Sequence, residues 1–305
     1  MIPLVIIAGP TASGKTALSV ELAKKLDGEI VSADSMQIYK FMNIGTAKPS
    51  EEERQGIPHH LMDIVDPREN FSLADYSEMA HKVIGDIYRR GKLPIMVGGT
   101  GLYIDTVAEN ITLGEVQGNA DVRRELEEFA VNNGNEALHL MLKDCDPESF
   151  ERLHVNDTKR IVRALEVYRV TGKTIGEHNR ESRRAPAIYN PIRFMMGWDR
   201  EVLYDRINRR VDIMLEQGLI NEVKACLEMG LESKNTAMQA IGYKELVEYI
   251  RGEISLEEAV EKIKMESRRY AKRQISWFKR GNYNILDPGE NPVARAEEII
   301  RGELK

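Results

Sequence analysis

Residues 9 to 16 read GPTASGKT, a Gly-x-x-x-x-Gly-Lys-Thr spacing that directly follows the apolar run Ile2 to Ala8. The chemistry of that spacing is the binding of a di- or triphosphate. Gly9 and Gly14 let the backbone turn so that successive amides point inward, Pro10, Thr11, Ala12 and Ser13 complete the loop, and the start of a helix adds positive potential. Lys15 reaches the outer phosphate and Thr16 offers a hydroxyl to Mg²⁺. A kinase or hydrolase with such a loop also needs a carboxylate for metal and a base or positioned water. The stretch "VSADSMQIY" supplies Asp34, whereas "VGGTG" presents a hydroxyl, Thr100, in place of an acid. If Asp34 holds a metal, the chain is an ordinary small-molecule kinase. If it faces an acceptor it is a general base, and Thr100 can donate to a phosphate oxygen that gains charge. Spacing alone leaves both open.

The elements that must carry these residues follow from periodicity. "PLVIIAG" is the continuous apolar run of a buried parallel strand, and Ala17 to Lys25 has helical spacing with Leu18, Leu22 and Leu26 on one face. "EIVSADS" reads as a second strand ending at Asp34 and "LPIMVGGTG" as a third ending at Gly98. Between them Ser72 to Arg90 reads as a helix, with Ser72 and Asp75 near its start and Gly91 after its end. Strands alternating with helices predict an α/β fold, a P-loop NTPase-like doubly wound parallel sheet, with the site at the carboxyl ends of the strands. Lys15, Asp34 and Thr100 all fall there.

Composition shifts beyond residue 112. Glu115 to Phe150 holds nine acidic residues against three basic, in helical patterns broken at "NNGN", and Glu151 to Arg184 holds nine basic against five acidic. That asymmetry predicts a helical insertion with one basic surface, residues 113–190, set into a catalytic core of residues 1–112 and 191–305. "IRFMMGWD" reads as a strand returning to the sheet. Helices ending near Gly218 and Gly230 follow, then a long one from Leu256 capped by Ser255 and Glu258, and "NYNILD" as a last strand.

With 305 residues, 42% hydrophobic and 30% charged, the chain can bury a large core. A formal charge of −6 excludes a uniformly basic nucleic-acid coat and says nothing about local patches. Cys145 and Cys226 stand alone, so neither a zinc pattern nor a disulfide framework is available, and a reducing compartment is expected. The apolar start is too short for a signal peptide and lacks a basic leader, and no run approaches the roughly 20 apolar residues that span a bilayer. A cytoplasmic chain that does not enter membranes is expected. His59 and His60 lack a second pair of ligands and read as ordered loop residues.

GPTASGKT, DSMQIY with "NIGTAKP", "IPHHLMDIVDP", "VGGTGLY", "TKRIVRALEVY", "QAIGYKE" and "RRYAKRQISWF" occur in that order between about residues 4 and 280. In this the chain resembles the tRNA dimethylallyltransferase (tRNA isopentenyltransferase) family, in the bacterial form that lacks a zinc-finger extension. The resemblance implies transfer of a dimethylallyl group from its diphosphate to N6 of the adenine immediately 3′ of the anticodon, with Mg²⁺ as cofactor and the anticodon stem-loop of tRNA as partner. It makes Asp34 the base and Thr100 a catalytic hydroxyl. Lys15 and an arginine of "DRINRRVDIM", Arg210 in preference to Arg206, would neutralise the leaving diphosphate.

The same resemblance places tRNA on Ser35, Met36 and Gln37, directly after the base, and on Gln239, Gly242, Tyr243 and Lys244. In the insertion the candidates are Arg123, Thr158, Lys159, Arg160 and Arg163. Lys264 to Arg280 carries seven basic residues against one acid, with like charges four apart, a spacing that an anion across them relieves. Tyr270, Trp277 and Phe278, interleaved there, are expected to pack the core; Tyr39 and Tyr103 either line a prenyl pocket or pack. A rival within the family is prenylation of free adenine nucleotides, against which the basic insertion argues. A monomer is expected.

Overall fold

A computed structural model of the chain describes residues 1–112 and 118–304. The first elements are β1 (Ile2–Ala8), α1 (Lys15–Leu26), β2 (Gly28–Ser32), α2 (Glu51–Arg54), β3 (His59–His60), α3 (Leu73–Arg89), β4 (Leu93–Gly98) and α4 (Gly101–Ala108). Then come α5 (Ala120–Leu140), α6 (Leu142–Cys145), α7 (Pro147–Arg152), α8 (Thr158–Thr171) and α9 (Ile175–Ser182). The chain closes with β5 (Tyr189–Met196), α10 (Arg200–Glu216), α11 (Leu219–Glu228), α12 (Tyr243–Ile250), α13 (Leu256–Phe278), β6 (Asn284–Leu286) and α14 (Pro292–Glu303).

Two compact units result, Met1–Ala108 with Ile188–Lys305, and Glu109–Ala187. Residues 113–117, where the insertion is expected to open, lie outside the described residues. No helix among the described residues is long and apolar enough to cross a membrane.

In the first unit the strands form one parallel sheet in the order β3-β2-β4-β1-β5-β6. Alternation along β1 explains the layers. Leu4, Ile6 and Ala8 pack with Tyr76, Ala80, Ile84 and Ile87 of α3 and Ile104 and Val107 of α4 on one face. Val5 and Ile7 pack with Leu18 and Leu22 of α1 and Ala296 and Ile300 of α14 on the other. A strand buried on both faces must be apolar throughout, which is why "PLVIIA" shows no polar alternation.

The helix starts follow their caps. Ser72 accepts from the Asp75 N–H at 3.2 Å while Asp75 accepts from the Ser72 N–H at 2.8 Å. Ser255 and Glu258 repeat the box at the head of α13, at 3.1 and 2.9 Å. A second core joins α10 to α13 to the segment after β2, with Ile38, Tyr39 and Met42 packed on Val211, Leu219, Tyr243 and Ile263.

Differences from the sequence expectation are local. β2 ends at Ser32, so Asp34 stands in the turn beyond it. The two-residue β3 pairs His59 with Ile30 and has no periodic signal of its own. Of the aromatics on α13, Phe278 is buried, but Trp277 is 38% exposed and donates from Nε1 to Asp105 at 2.7 Å.

In the second unit, α5 to α9 enclose their own core of Leu126, Leu138, Leu142, Ile161 and Leu165. α5 breaks at Gly134, whose φ of 85° is left-handed, at the expected "NNGN". Gly172, φ 70°, ends α8.

Candidate active site

Between β1 and α1 the loop turns through Gly9 (φ 140°) and Gly14 (φ 89°), both outside the range that L side chains prefer. Gly14 caps α1 without a side-chain acceptor, so the first amides of α1 have no partner within the helix. Two side chains grip the loop from outside. Arg206 Nε donates to the Ala12 carbonyl and Trp198 Nε1 to the Ser13 carbonyl, each at 2.8 Å, and the guanidinium lies 4.3 Å from the indole centroid. Held at these two carbonyls, the loop is fixed where it leads into the unpartnered amides of α1.

The cavity is cationic. Lys15 Nζ donates to the Pro10 carbonyl at 2.7 Å, and its pKa is pulled down to about 8, first by burial, with Arg210 adding to the effect and Asp34 opposing it. Burial also lowers the pKa of Arg210, against the pull of Glu53 and Asp34. Its Nη2 reaches the Ala47 carbonyl at 3.4 Å, and its buried Nε has no hydrogen-bond partner. The buried Ser13 hydroxyl likewise has none. Two cations converge here on Asp34, with Glu53 also acting on Arg210, and with donors unspent, which is the arrangement of an anion site.

Asp34 and Thr100 meet where β2 and β4 end. Asp34 Oδ1 accepts from the Met36 N–H at 2.9 Å and from the Gln37 N–H at 3.4 Å. Thr100 Oγ1 accepts from the Ser35 N–H at 3.0 Å and donates to the Ser35 hydroxyl at 3.3 Å. The glycines of "VGGTG" permit this closeness, since a Cβ on Gly98 would stand 2.1 Å from the Ala33 carbonyl oxygen. A carboxylate, a hydroxyl and two cations thus share one corner, able to accept a proton on one side and hold a polyanion on the other.

Several expected nucleic-acid contacts are spent inside the protein. Gln37 accepts from the Ser32 hydroxyl at 3.2 Å and donates to the Thr46 and Ala47 carbonyls at 3.1 and 3.2 Å, so its carboxamide holds the following loop in the free protein. Met36 packs against the C-terminal helices. Tyr243 is 0% exposed and Gly242 is buried. Both are enclosed in the free protein.

Tyr243 acts through Glu222 instead. Its hydroxyl donates to Glu222, whose carboxylate accepts the N–H groups of Asn43, Ile44 and Gly45 at 2.8, 2.8 and 3.0 Å. Gln239 is exposed and bonds the Ser233 carbonyl, and Lys244 lies 3.4 Å from Glu245. Tyr39 is buried in the helical core and Tyr103 stacks on Tyr76 at 4.0 Å.

In the insertion the basic cluster divides. Arg123 and Arg163 both pair with Glu166, at 3.0 and 2.9 Å, and that carboxylate is 0% exposed. Lys159 and Arg160 are exposed, Arg160 beside Asp157 at 3.0 Å, and the Thr158 hydroxyl bonds Asn135 at 3.0 Å.

Comparison with known proteins gives this geometry its context. A family model described as IPP transferase matches residues 37–281. The chain is 53% identical over 298 residues to the tRNA dimethylallyltransferase of Acetivibrio thermocellus, covering 98% of this chain and 95% of that protein. The chain belongs to the IPP transferase family. Another relative, the tRNA dimethylallyltransferase of Thermoanaerobacter pseudethanolicus, is 53% identical over 280 residues, 91% of this chain and 89% of that protein.

Solved structures of the family agree in fold. The tRNA isopentenylpyrophosphate transferase of Bacillus halodurans superposes with a TM-score of 0.75 at 44% identity, covering 100% of this chain and 97% of that one. A eukaryotic dimethylallyltransferase acting on tRNA gives 0.83 at 31% identity, covering 100% and 79%. Trp198, Glu222 and Gln274 escaped the sequence reading; each contributes through a partner remote in the chain.

Proposed function

We propose that this member of the family transfers the dimethylallyl group of dimethylallyl diphosphate to N6 of the adenine immediately 3′ of the anticodon in tRNA. The observation that carries the reading is the convergence of Lys15 and Arg210 on Asp34, beside the uncapped N-terminus of α1. Asp34 takes the N6 proton as the nitrogen bonds to the allylic carbon, and the carbon–oxygen bond to diphosphate breaks. An exocyclic adenine amine is a poor nucleophile because its lone pair is delocalised, so the base is worth roughly 10²–10⁴-fold. Lys15, Arg210, the loop amides and the Thr100 hydroxyl take up the charge on the departing diphosphate.

The residues also fit Mg²⁺ bound mainly through its substrate. Among the described residues no cluster of three His, Cys, Asp or Glu side chains gathers. An ion that keeps its waters and takes phosphate oxygens needs little more from the protein than the Thr16 hydroxyl at the head of α1. When bound, it neutralises part of the diphosphate charge.

The acceptor adenine must leave its stack to meet that carbon, at a cost of a few kcal/mol. Lys159 and Arg160 in the insertion, and separately Lys272 and Arg273 on α13, are exposed cations that an RNA backbone can use. A free nucleotide needs no such surface, and this favours tRNA over the nucleotide-prenylating alternative. Reducing cytoplasm, where tRNA matures, suits the free Cys145 and Cys226.

Incubation with unmodified tRNA and dimethylallyl diphosphate, then mass spectrometry of the nucleosides, should yield one dimethylallyl group on adenosine and no ATP consumption. Phosphate transfer from ATP with unmodified tRNA would point to a kinase.

The depressed lysine sets a pH dependence. Lys15 loses its proton near pH 8 in the free protein. The diphosphate is already fully ionised there, so KM for dimethylallyl diphosphate should rise above that pH by up to roughly tenfold per unit as a positive charge disappears. Bound diphosphate raises the same pKa, so kcat changes less than KM, and KM for tRNA stays level. A KM for the diphosphate that is flat between pH 7 and pH 10 would remove Lys15 from the contact.

A further inference from the structure

Three consecutive loop residues, Thr11, Ala12 and Ser13, are each tied through the backbone to a side chain from the C-terminal part of the chain. Arg206 and Trp198 hold the carbonyls of Ala12 and Ser13. The third tie reaches further. The Thr11 N–H donates to Gln274 Oε1 at 3.1 Å, and Gln274 Nε2 donates to the Gly99 carbonyl at 2.9 Å. Only this orientation of the carboxamide matches a donor on one side and an acceptor on the other. Gln274 is 4% exposed, and a Cβ on residue 99 would stand 2.1 Å from its Nε2, so the glycine admits the carboxamide. One turn earlier on α13, Tyr270 lies beside Thr100 and Gln274.

The place of this bridge in the sheet gives it meaning. β1 and β4 are neighbours, and their last paired residues are Ala8 and Gly98. Past that point no ladder bonds join the two chains, yet the loop that follows β1 and the turn that follows β4 are the two sides of the reaction. The Gln274 carboxamide spans them where the ladder stops. A buried amide with both ends engaged is held rigidly.

Resting on the prenyl-transfer reading, we propose that Gln274 is a positioning residue that sets the separation between the diphosphate loop and Thr100. It works through Thr11 and Gly99, not on the reacting atoms. Misplacement of such partners by about 1 Å costs on the order of 10²-fold in rate.

The test uses the full chain with unmodified tRNA and dimethylallyl diphosphate. Gln274→Met keeps the length of the side chain and removes both hydrogen bonds. Its kcat should fall on the order of 10²-fold, with tRNA affinity and the folded fraction at assay temperature unchanged. In a Thr100→Val background the same change should cost less than about threefold, because the group being positioned is gone. An unchanged kcat, additive losses, or a loss that tracks the unfolded fraction overturns the proposal.

If Gln274→Met does not fold, Gln274→Glu decides. Its protonated carboxyl offers an acceptor and a donor as the carboxamide does, whereas the ionised form sets a charge against the Gly99 carbonyl. Its kcat relative to the parent should rise toward acid by up to roughly tenfold per pH unit, and a ratio independent of pH overturns the proposal. A parent protein that forms no prenylated adenosine fails the prenyl-transfer reading itself, so the two failures are told apart.

Discussion

Asp34→Asn should lower kcat for tRNA prenylation by roughly 10²–10⁴-fold while diphosphate binds as tightly as before or more tightly. Asparagine is the informative substitution because Asp34 Oδ1 also accepts the Met36 and Gln37 N–H groups. The amide oxygen keeps both bonds and the turn they define, and only the basicity and the charge are lost. Removing that charge strengthens the positive field of Lys15 and Arg210, so a polyanion gains. A carboxylate that held Mg²⁺ would behave in the opposite way, since its loss would weaken diphosphate binding at fixed Mg²⁺. Single-turnover rates with saturating substrates, beside diphosphate affinity from calorimetry, separate the roles. Filter binding should find tRNA affinity within about twofold of the parent, because phosphate contacts rather than one base proton carry most of the affinity. Undiminished turnover would remove Asp34 as the base.

Where the sequence was legible, the physics was local. A phosphate loop must place glycines, lysine and threonine at fixed spacing within one turn, so GPTASGKT announces itself. A strand covered on both faces must be apolar, so "PLVIIA" does too. The capping boxes at Ser72 and Ser255 are four-residue motifs and were found. What escaped depends on separation. Gln274 and Thr11 lie 263 residues apart, and Trp198 and Ser13 lie 185 apart, with nothing in either neighbourhood to mark the pairing.

The basic insertion shows the limit of counting charges. Arg123 and Arg163 read as surface for RNA; both pair with the buried Glu166 while their own side chains stay 47% and 39% exposed. One signal existed: Glu166 is the lone acid in "IVRALEVY", where Arg163 is the only other charged residue, and a buried carboxylate must be paired. Tyr243 shows the converse, a tyrosine within an expected contact motif that serves the motif from inside, by holding Glu222 under the loop at Asn43 to Gly45.

The choice between Arg210 and Arg206 can be decided by comparing two substitutions. Arg206 spends its Nε on the Ala12 carbonyl and lies over Trp198, so it shapes the loop from the solvent side. Arg210 is half-buried and holds only a 3.4 Å contact to Ala47. A desolvated guanidinium with idle donors is a standing cost to the free protein, and an incoming diphosphate removes that cost. Arg210→Gln should therefore lower kcat with dimethylallyl diphosphate by roughly 10²–10³-fold and leave the melting temperature unchanged or raised. The stabilisation that added diphosphate gives the parent, which grows with the ratio of ligand to Kd, should largely disappear. Arg206→Gln should do less to catalysis, about tenfold or below and mainly through KM, because Trp198 still holds the neighbouring carbonyl. The opposite ranking would move the leaving-group contact to Arg206. Equal, small effects would mean that Lys15 and the loop amides carry the charge without a guanidinium. Opposite signs in stability and turnover at Arg210 are the signature of a charge held for its ligand, since a residue that merely supported the fold would lose both together.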